Sequence, residues 1–153
     1  MRKEVKLIVS VVVCLLAGAV GSLFTSSSVS TWYATLAKPS FNPPSWLFGP
    51  VWTVLYILMG IALYLAWTKR KEANGEIAVF TAQLALNMLW SALFFGLRNP
   101  SWALIEIIIL WVMILVTMMK FYAIEKKAGY LLVPYLLWVS FATVLNVAIV
   151  ILN

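Results

Sequence analysis

The chain has 153 residues, enough for one domain, of which 64% are hydrophobic and only 10% charged. An average soluble domain is about a quarter charged, and one this small could not cover its large relative surface with so few charges; a lipid-facing surface removes the difficulty. The net charge of +6 does not point to nucleic acid, because the basic residues sit in short clusters between apolar runs and not along one face.

The first apolar segment, about residues 5–24, follows Arg2, Lys3 and Lys6. Those three residues and Ala17-Gly18-Ala19 also resemble a signal peptide with its cleavage site, but the run is long enough to span a bilayer and reads as a retained helix. Its small residues Ala17, Gly18, Ala19 and Gly21 suit close helix packing. Cys14 lies within the run and, as the only cysteine, cannot form an internal disulfide; it reads as a small buried hydrophobe.

A long loop follows, about residues 25–45. It opens on the flexible run Thr25-Ser26-Ser27-Ser28 and then turns aromatic and proline-rich, with Trp32-Tyr33, Lys38-Pro39, Phe41 and Pro43-Pro44. A loop this long and chemically distinctive fits a functional element, and equally an interfacial aromatic belt. Four further apolar segments follow, at about 46–67, 77–97, 101–122 and 130–152. Each supplies the roughly 20 residues that a helix needs to cross a hydrocarbon core about 30 Å thick. They are too long and continuous for barrel strands. The expected fold is an all-α membrane protein, a single five-transmembrane-helix bundle over residues 1–153, with short connections making successive helices antiparallel neighbours.

Charge predicts the orientation. Arg2, Lys3, Lys6, Lys69, Arg70, Lys71, Lys120, Lys126 and Lys127 fall on one side, and only Lys38 and Arg98 on the other. This puts the N-terminus in the cytoplasm and the C-terminus outside, for a plasma or inner membrane.

Polar groups within the spans mark interior faces, because lipid cannot satisfy them. Helical spacing aligns Trp52, Tyr56 and Met59 on the second span, and Gln83, Asn87 and Trp90 on the third. It also aligns Trp102 with Glu106 on the fourth, and Tyr135, Trp138, Ala142 and Asn146 on the fifth. One such stripe is ordinary helix-packing glue; four in so small a bundle predict an internal pocket for a large, flat, mostly apolar ligand with polar edges. Glu106 is expected to pair with Arg98 or to snorkel to the interface. Catalytic machinery is sparse. There is no histidine, hence no imidazole base, zinc cluster or haem ligand, and no metal site, nucleophile elbow, phosphate loop or paired carboxylates.

At these residues the chain resembles the TspO/MBR family of tryptophan-rich sensory and translocator proteins. The resemblance is carried in order by Trp32-Tyr33-Ala34-Thr35-Leu36-Ala37-Lys38-Pro39, Pro43-Pro44, and Gly49-Pro50-Val51-Trp52-Thr53-Val54-Leu55-Tyr56. It continues through Met59-Gly60, Gln83-Leu84-Ala85-Leu86-Asn87, Phe94-Phe95-Gly96 and Trp102-Ala103-Leu104. It closes on Pro134-Tyr135-Leu136-Leu137-Trp138, Phe141-Ala142-Thr143 and Leu145-Asn146.

The resemblance implies a five-helix bundle whose first loop closes a ligand pocket. It implies binding of porphyrins such as protoporphyrin IX and of benzodiazepine-type and isoquinoline compounds, and often a homodimer. The implied ligand-binding residues are Tyr33, Pro43, Trp52, Tyr56, Asn87, Trp90, Trp138 and Ala142. Some bacterial members degrade porphyrin in light, and their two implicated tryptophans match Trp52 and Trp138, which would be catalytic only in that case. The family's proposed cholesterol motif needs a Tyr and then a Lys or Arg after the Leu-Asn pair. Here Val147 to Asn153 supply neither, which puts porphyrin ahead of sterol. The expected role is a porphyrin-binding membrane receptor in tetrapyrrole handling or stress signalling that requires no cofactor. The alternatives are a light- and oxygen-dependent porphyrin-degrading enzyme, a transporter of porphyrin or sterol, and an interaction scaffold. The absence of an evident inverted repeat counts against coupled transport.

Overall fold

The computed structural model describes residues 1–153 and contains only helices and their connections. Five helical stretches are long and apolar enough to cross a membrane: Lys3–Ser26, Ser45–Lys69, Asn74–Gly96, Pro100–Ile124 and Lys126–Leu152. The first is α1. The lid segment holds one short helix, α2 (Trp32–Thr35). The second span begins with a 3-10 turn at Ser45–Leu47 and continues as α3 (Phe48–Lys69). The third is α4 (Asn74–Ser91), widened over Ala92–Gly96 into a π-helical turn.

Arg98, at φ 53, then reverses the chain in the left-handed region. Asn99 caps the next helix, α5 (Pro100–Ile124), its Oδ1 accepting from the Trp102 N–H at 3.1 Å. Pro100 occupies the first turn, where its missing N–H costs nothing. The fifth span is broken at Leu132 into α6 (Lys126–Leu131) and α7 (Val133–Leu152), because Pro134 cannot donate a hydrogen bond across the break. The expected segments are all present. They run a few residues longer at most ends, and the fifth starts earlier than about residue 130.

The helices do not follow one another around the bundle. α1 packs on both α3 and α4, α4 packs on α5, and α5 packs on α7. α3 and α4, though joined by a short connection, barely meet. This corrects the expectation that successive spans are neighbours throughout. The cause is the fit between α1 and α3. A Cβ on Gly60 would stand 2.6 Å from the Val11 Cα, so the two backbones touch there and α1 takes the place beside α3. α6 covers α3 on its other flank. The main core runs from Cys14 and Ala17 through Met59, Phe80 and Leu110 to Tyr135 and Val139. A smaller one gathers Tyr33, Phe94, Phe95, Ala103, Leu145 and Ile149 under the lid.

Candidate ligand cavity

A cavity of about 360 Å³ lies beneath the lid, enclosed by α1, α3, the π turn of α4, and α7. Its size falls in the usual range for small-molecule sites.

One wall is built on α3. Trp52 stacks on Tyr56, with ring centroids 5.6 Å apart and planes 28° apart. The Tyr56 hydroxyl passes behind the wall and donates to Asn87 Oδ1. Asn87 Nδ2 donates to the Tyr135 hydroxyl at 2.8 Å, which donates to Gln83 Oε1 at 2.8 Å. Three spans are thus tied by one buried chain of hydrogen bonds, which fixes the Tyr56 ring and through it Trp52. The opposite wall has Trp90 stacked on Phe94 at 5.0 Å. Its Nε1 donates to Asn146 Oδ1 at 3.1 Å, and Asn146 Nδ2 donates to the Pro100 carbonyl at 2.9 Å, so Trp90 is also held from behind. Trp138 completes the lining between Phe48 and Phe141, with centroids 6.2 Å and 5.6 Å away.

The lid forms the roof. Tyr33 is buried against Phe94 and Phe95, and its hydroxyl donates to Asn42 Oδ1 at 2.8 Å. Burial pushes the Tyr33 phenol up to about 12. Lys38 Nζ donates to the carbonyls of Tyr33 and Leu36 and lies 4.9 Å above the Tyr33 ring. Ser28 Oγ donates to the Phe95 carbonyl at 2.7 Å, and the Asn153 amide pairs with Ala37 through both its N–H and its C=O. The serine run expected to be a flexible tether is therefore helical at Thr25 and Ser26 and anchored at Ser28.

Of the eight residues expected at the pocket, Tyr33, Trp52, Tyr56, Trp90, Trp138 and Ala142 line the cavity. Asn87 and Pro43 do not: Asn87 stands behind Tyr56, and Pro43 stays in the lid connection away from the lining. Spacing places a residue on a face but not in the front or rear rank of that face. Trp102 is 62% exposed whereas Glu106 is 5% exposed, so the fourth stripe is not buried as a unit. Glu106 is buried with neither carboxylate oxygen partnered, and the two ion pairs present are Lys69–Glu125 and Arg70–Glu76. The expected Glu106–Arg98 pair is absent, because the left-handed turn at Arg98 carries that residue, itself exposed, off the end of the bundle. Gln83 Nε2, also buried, lacks an acceptor.

Sequence reasoning missed the α1 wall, formed by Leu15, Gly18, Ala19, Gly21, Ser22 and Thr25. The signal was the small-residue run, read only as packing. A Cβ on Gly18 would stand 2.6 Å from the Tyr56 ring carbons, so the missing side chain gives that aromatic wall its room. Asn42 and Asn153, which hold the lid, carried no spacing signal.

The TspO/MBR family model matches residues 10–152. The tryptophan-rich protein TspO of Archaeoglobus fulgidus is 50% identical over 149 residues, 97% of either chain. The human translocator protein is 40% identical over 131 residues, covering 83% of this chain and 78% of its own. The tryptophan-rich sensory protein of Cereibacter sphaeroides is 41% identical over 116 residues, 75% of this chain and 72% of its own. With a family match over nearly its whole length and a bundle of five spans, four of which line an aromatic cavity, the chain belongs to the TspO/MBR family.

Proposed function

We propose that this membrane protein is a receptor for porphyrins of the protoporphyrin IX type, acting in tetrapyrrole handling or stress signalling. The observation that carries the reading is a lidded cavity with Trp52, Trp90, Trp138 and Tyr33 in its lining and few polar atoms among them. Flat aromatic faces stack on a macrocycle and bury its apolar area, and sparse polar groups orient its edge. Asn87 supports the site from behind through Tyr56. The charge asymmetry supports an N-terminus in the cytoplasm and a lid on the outer side, and the family resemblance supports a homodimer.

Titration of the purified protein with protoporphyrin IX, followed by tryptophan fluorescence, tests this. Saturable quenching is expected, weakened about tenfold in Trp52→Ala and Trp138→Ala, in line with about 1.4 kcal/mol for each lost stacking surface. Quenching that saturates identically in both variants refutes the site.

A second reading, porphyrin breakdown with light and dioxygen as oxidant, is favoured by Trp52 and Trp138 lining the same cavity. It predicts Soret-band loss under illumination that disappears in the double Trp→Phe variant.

A further inference from the structure

The cavity is closed above and open at one side. Five of its lining residues are exposed: Leu15, Ala19 and Ser22 on α1, and Gly49 and Thr53 on α3. Every lining residue from the lid, α4 with its π turn, and α7 is buried or half-buried. The exposed residues of α1 recur at i, i+4 and i+7, and those of α3 at i and i+4, so they form two facing banks along adjacent helices.

The gap between the banks follows from how α1 and α3 cross. They touch at Val11 and Gly60, and Gly18 rests against the Tyr56 ring. Toward the lid they part: a Cβ on Gly49 would meet nothing within 4 Å. The roof, in contrast, is fastened to the bundle by Ser28 on the Phe95 carbonyl, by Asn153 on Ala37 and by the Tyr33 ring on Phe94 and Phe95, and is braced within itself by the Tyr33–Asn42 and Lys38–Tyr33 hydrogen bonds. Both banks lie within membrane-crossing helices, so the gap faces lipid. Its hydroxyls are already satisfied on their own helices: Ser22 Oγ donates to the Ala19 carbonyl at 2.7 Å and Thr53 Oγ1 to the Gly49 carbonyl at 2.8 Å. An apolar molecule passing between the banks therefore leaves no polar group stripped of its partner.

We infer that the opening between α1 and α3 is the passage through which flat apolar ligands dissolved in the bilayer reach and leave the cavity, while the lid stays latched. The inference rests on the porphyrin reading for the ligand class, and it adds the route. A molecule of that class partitions into lipid, and a lateral passage lets it exchange without breaking the contacts of the roof.

A reversible bridge tests the route. Ser22→Cys/Gly49→Cys protein in phosphatidylcholine vesicles is joined across the opening with a cleavable bis-thiol reagent; Cys14, fully buried, stays out of reach. A second protein, Ala37→Cys/Asn153→Cys, is bridged across the lid in the same way. Protoporphyrin IX association is followed by tryptophan quenching, and release by dilution into empty vesicles.

Bridging α1 to α3 is expected to slow both association and release about tenfold or more, with recovery when the bridge is cleaved; bridging the lid is expected to change them less than about twofold. Unchanged rates with the side bridge, or exchange stopped by the lid bridge alone, overturn the passage while saturable binding in the unbridged protein keeps the porphyrin reading. Loss of saturable binding from the unbridged protein removes both.

Discussion

Asn87 gives the sharpest test of how the cavity wall is held. It is 3% exposed, accepts from Tyr56 and donates to Tyr135, joining α3, α4 and α7. Asn87→Ala removes two buried hydrogen bonds, each worth about 0.6–1.7 kcal/mol between membrane helices. The space left by the lost amide adds about 0.5–1 kcal/mol at roughly 24 cal/mol per Å³. The expected loss is about 2–4 kcal/mol. Tyr56→Phe removes only the bond it shares with Asn87, at about 1 kcal/mol.

The two changes therefore overlap, and the double variant should lose about 1 kcal/mol less than the sum of the singles. Unfolding of all four proteins in mixed micelles, followed by circular dichroism, measures this. Additivity within about 0.3 kcal/mol would refute the bond as a stabilising link. The same cycle reads the ligand. Because Asn87 does not line the cavity, Asn87→Ala should weaken porphyrin binding through Tyr56, and by less than about twofold once Tyr56 is already Phe. An equal loss in both backgrounds would mean that Asn87 meets the ligand directly.

Gly60→Ala should destabilise the bundle by about 1–3 kcal/mol, since the new Cβ would stand 2.6 Å from the Val11 backbone, whereas Gly49→Ala, with nothing within 4 Å, should be tolerated; thermal unfolding of the pair checks the contrast. The lid should loosen in alkali. The Tyr33 phenol, raised by burial from 10.0 to about 12, favours the closed lid fully below its ordinary value, and that contribution is lost as pH rises through about 12. Proteolysis at the lid should therefore increase between these values in the parent protein and stay flat in Tyr33→Phe; a flat profile in both would show that the phenol does not hold the lid.

The five spans were legible because lipid leaves the backbone few choices. An apolar run of about 20 residues must become a helix that satisfies its own N–H and C=O groups, whatever surrounds it. The inward stripes were legible for a related reason: Tyr56, Gln83, Asn87 and Tyr135 carry polar atoms that lipid cannot satisfy, and helical spacing shows which side they share. Six of the eight residues that the family resemblance implied at the pocket line the cavity, and five of the six, Trp52, Tyr56, Trp90, Trp138 and Ala142, also lie on the faces that helical spacing had turned inward.

Distance between helices was not legible. Nothing in the spacing of α1 says that it lies between α3 and α4; that follows from the bare backbone of Gly60 meeting Val11. The α1 wall, the rear position of Asn87, the isolation of Glu106 and the Asn153 latch on the lid all depend on which residues far apart in the chain come within a few ångströms. By itself the sequence determined five membrane-crossing helices and the faces they turn inward, because both are local consequences of burying backbone and polar groups in lipid. The tertiary structure alone decided which helices meet, and so where the cavity lies and on which side it opens, because close packing depends on the shapes of both partners at once.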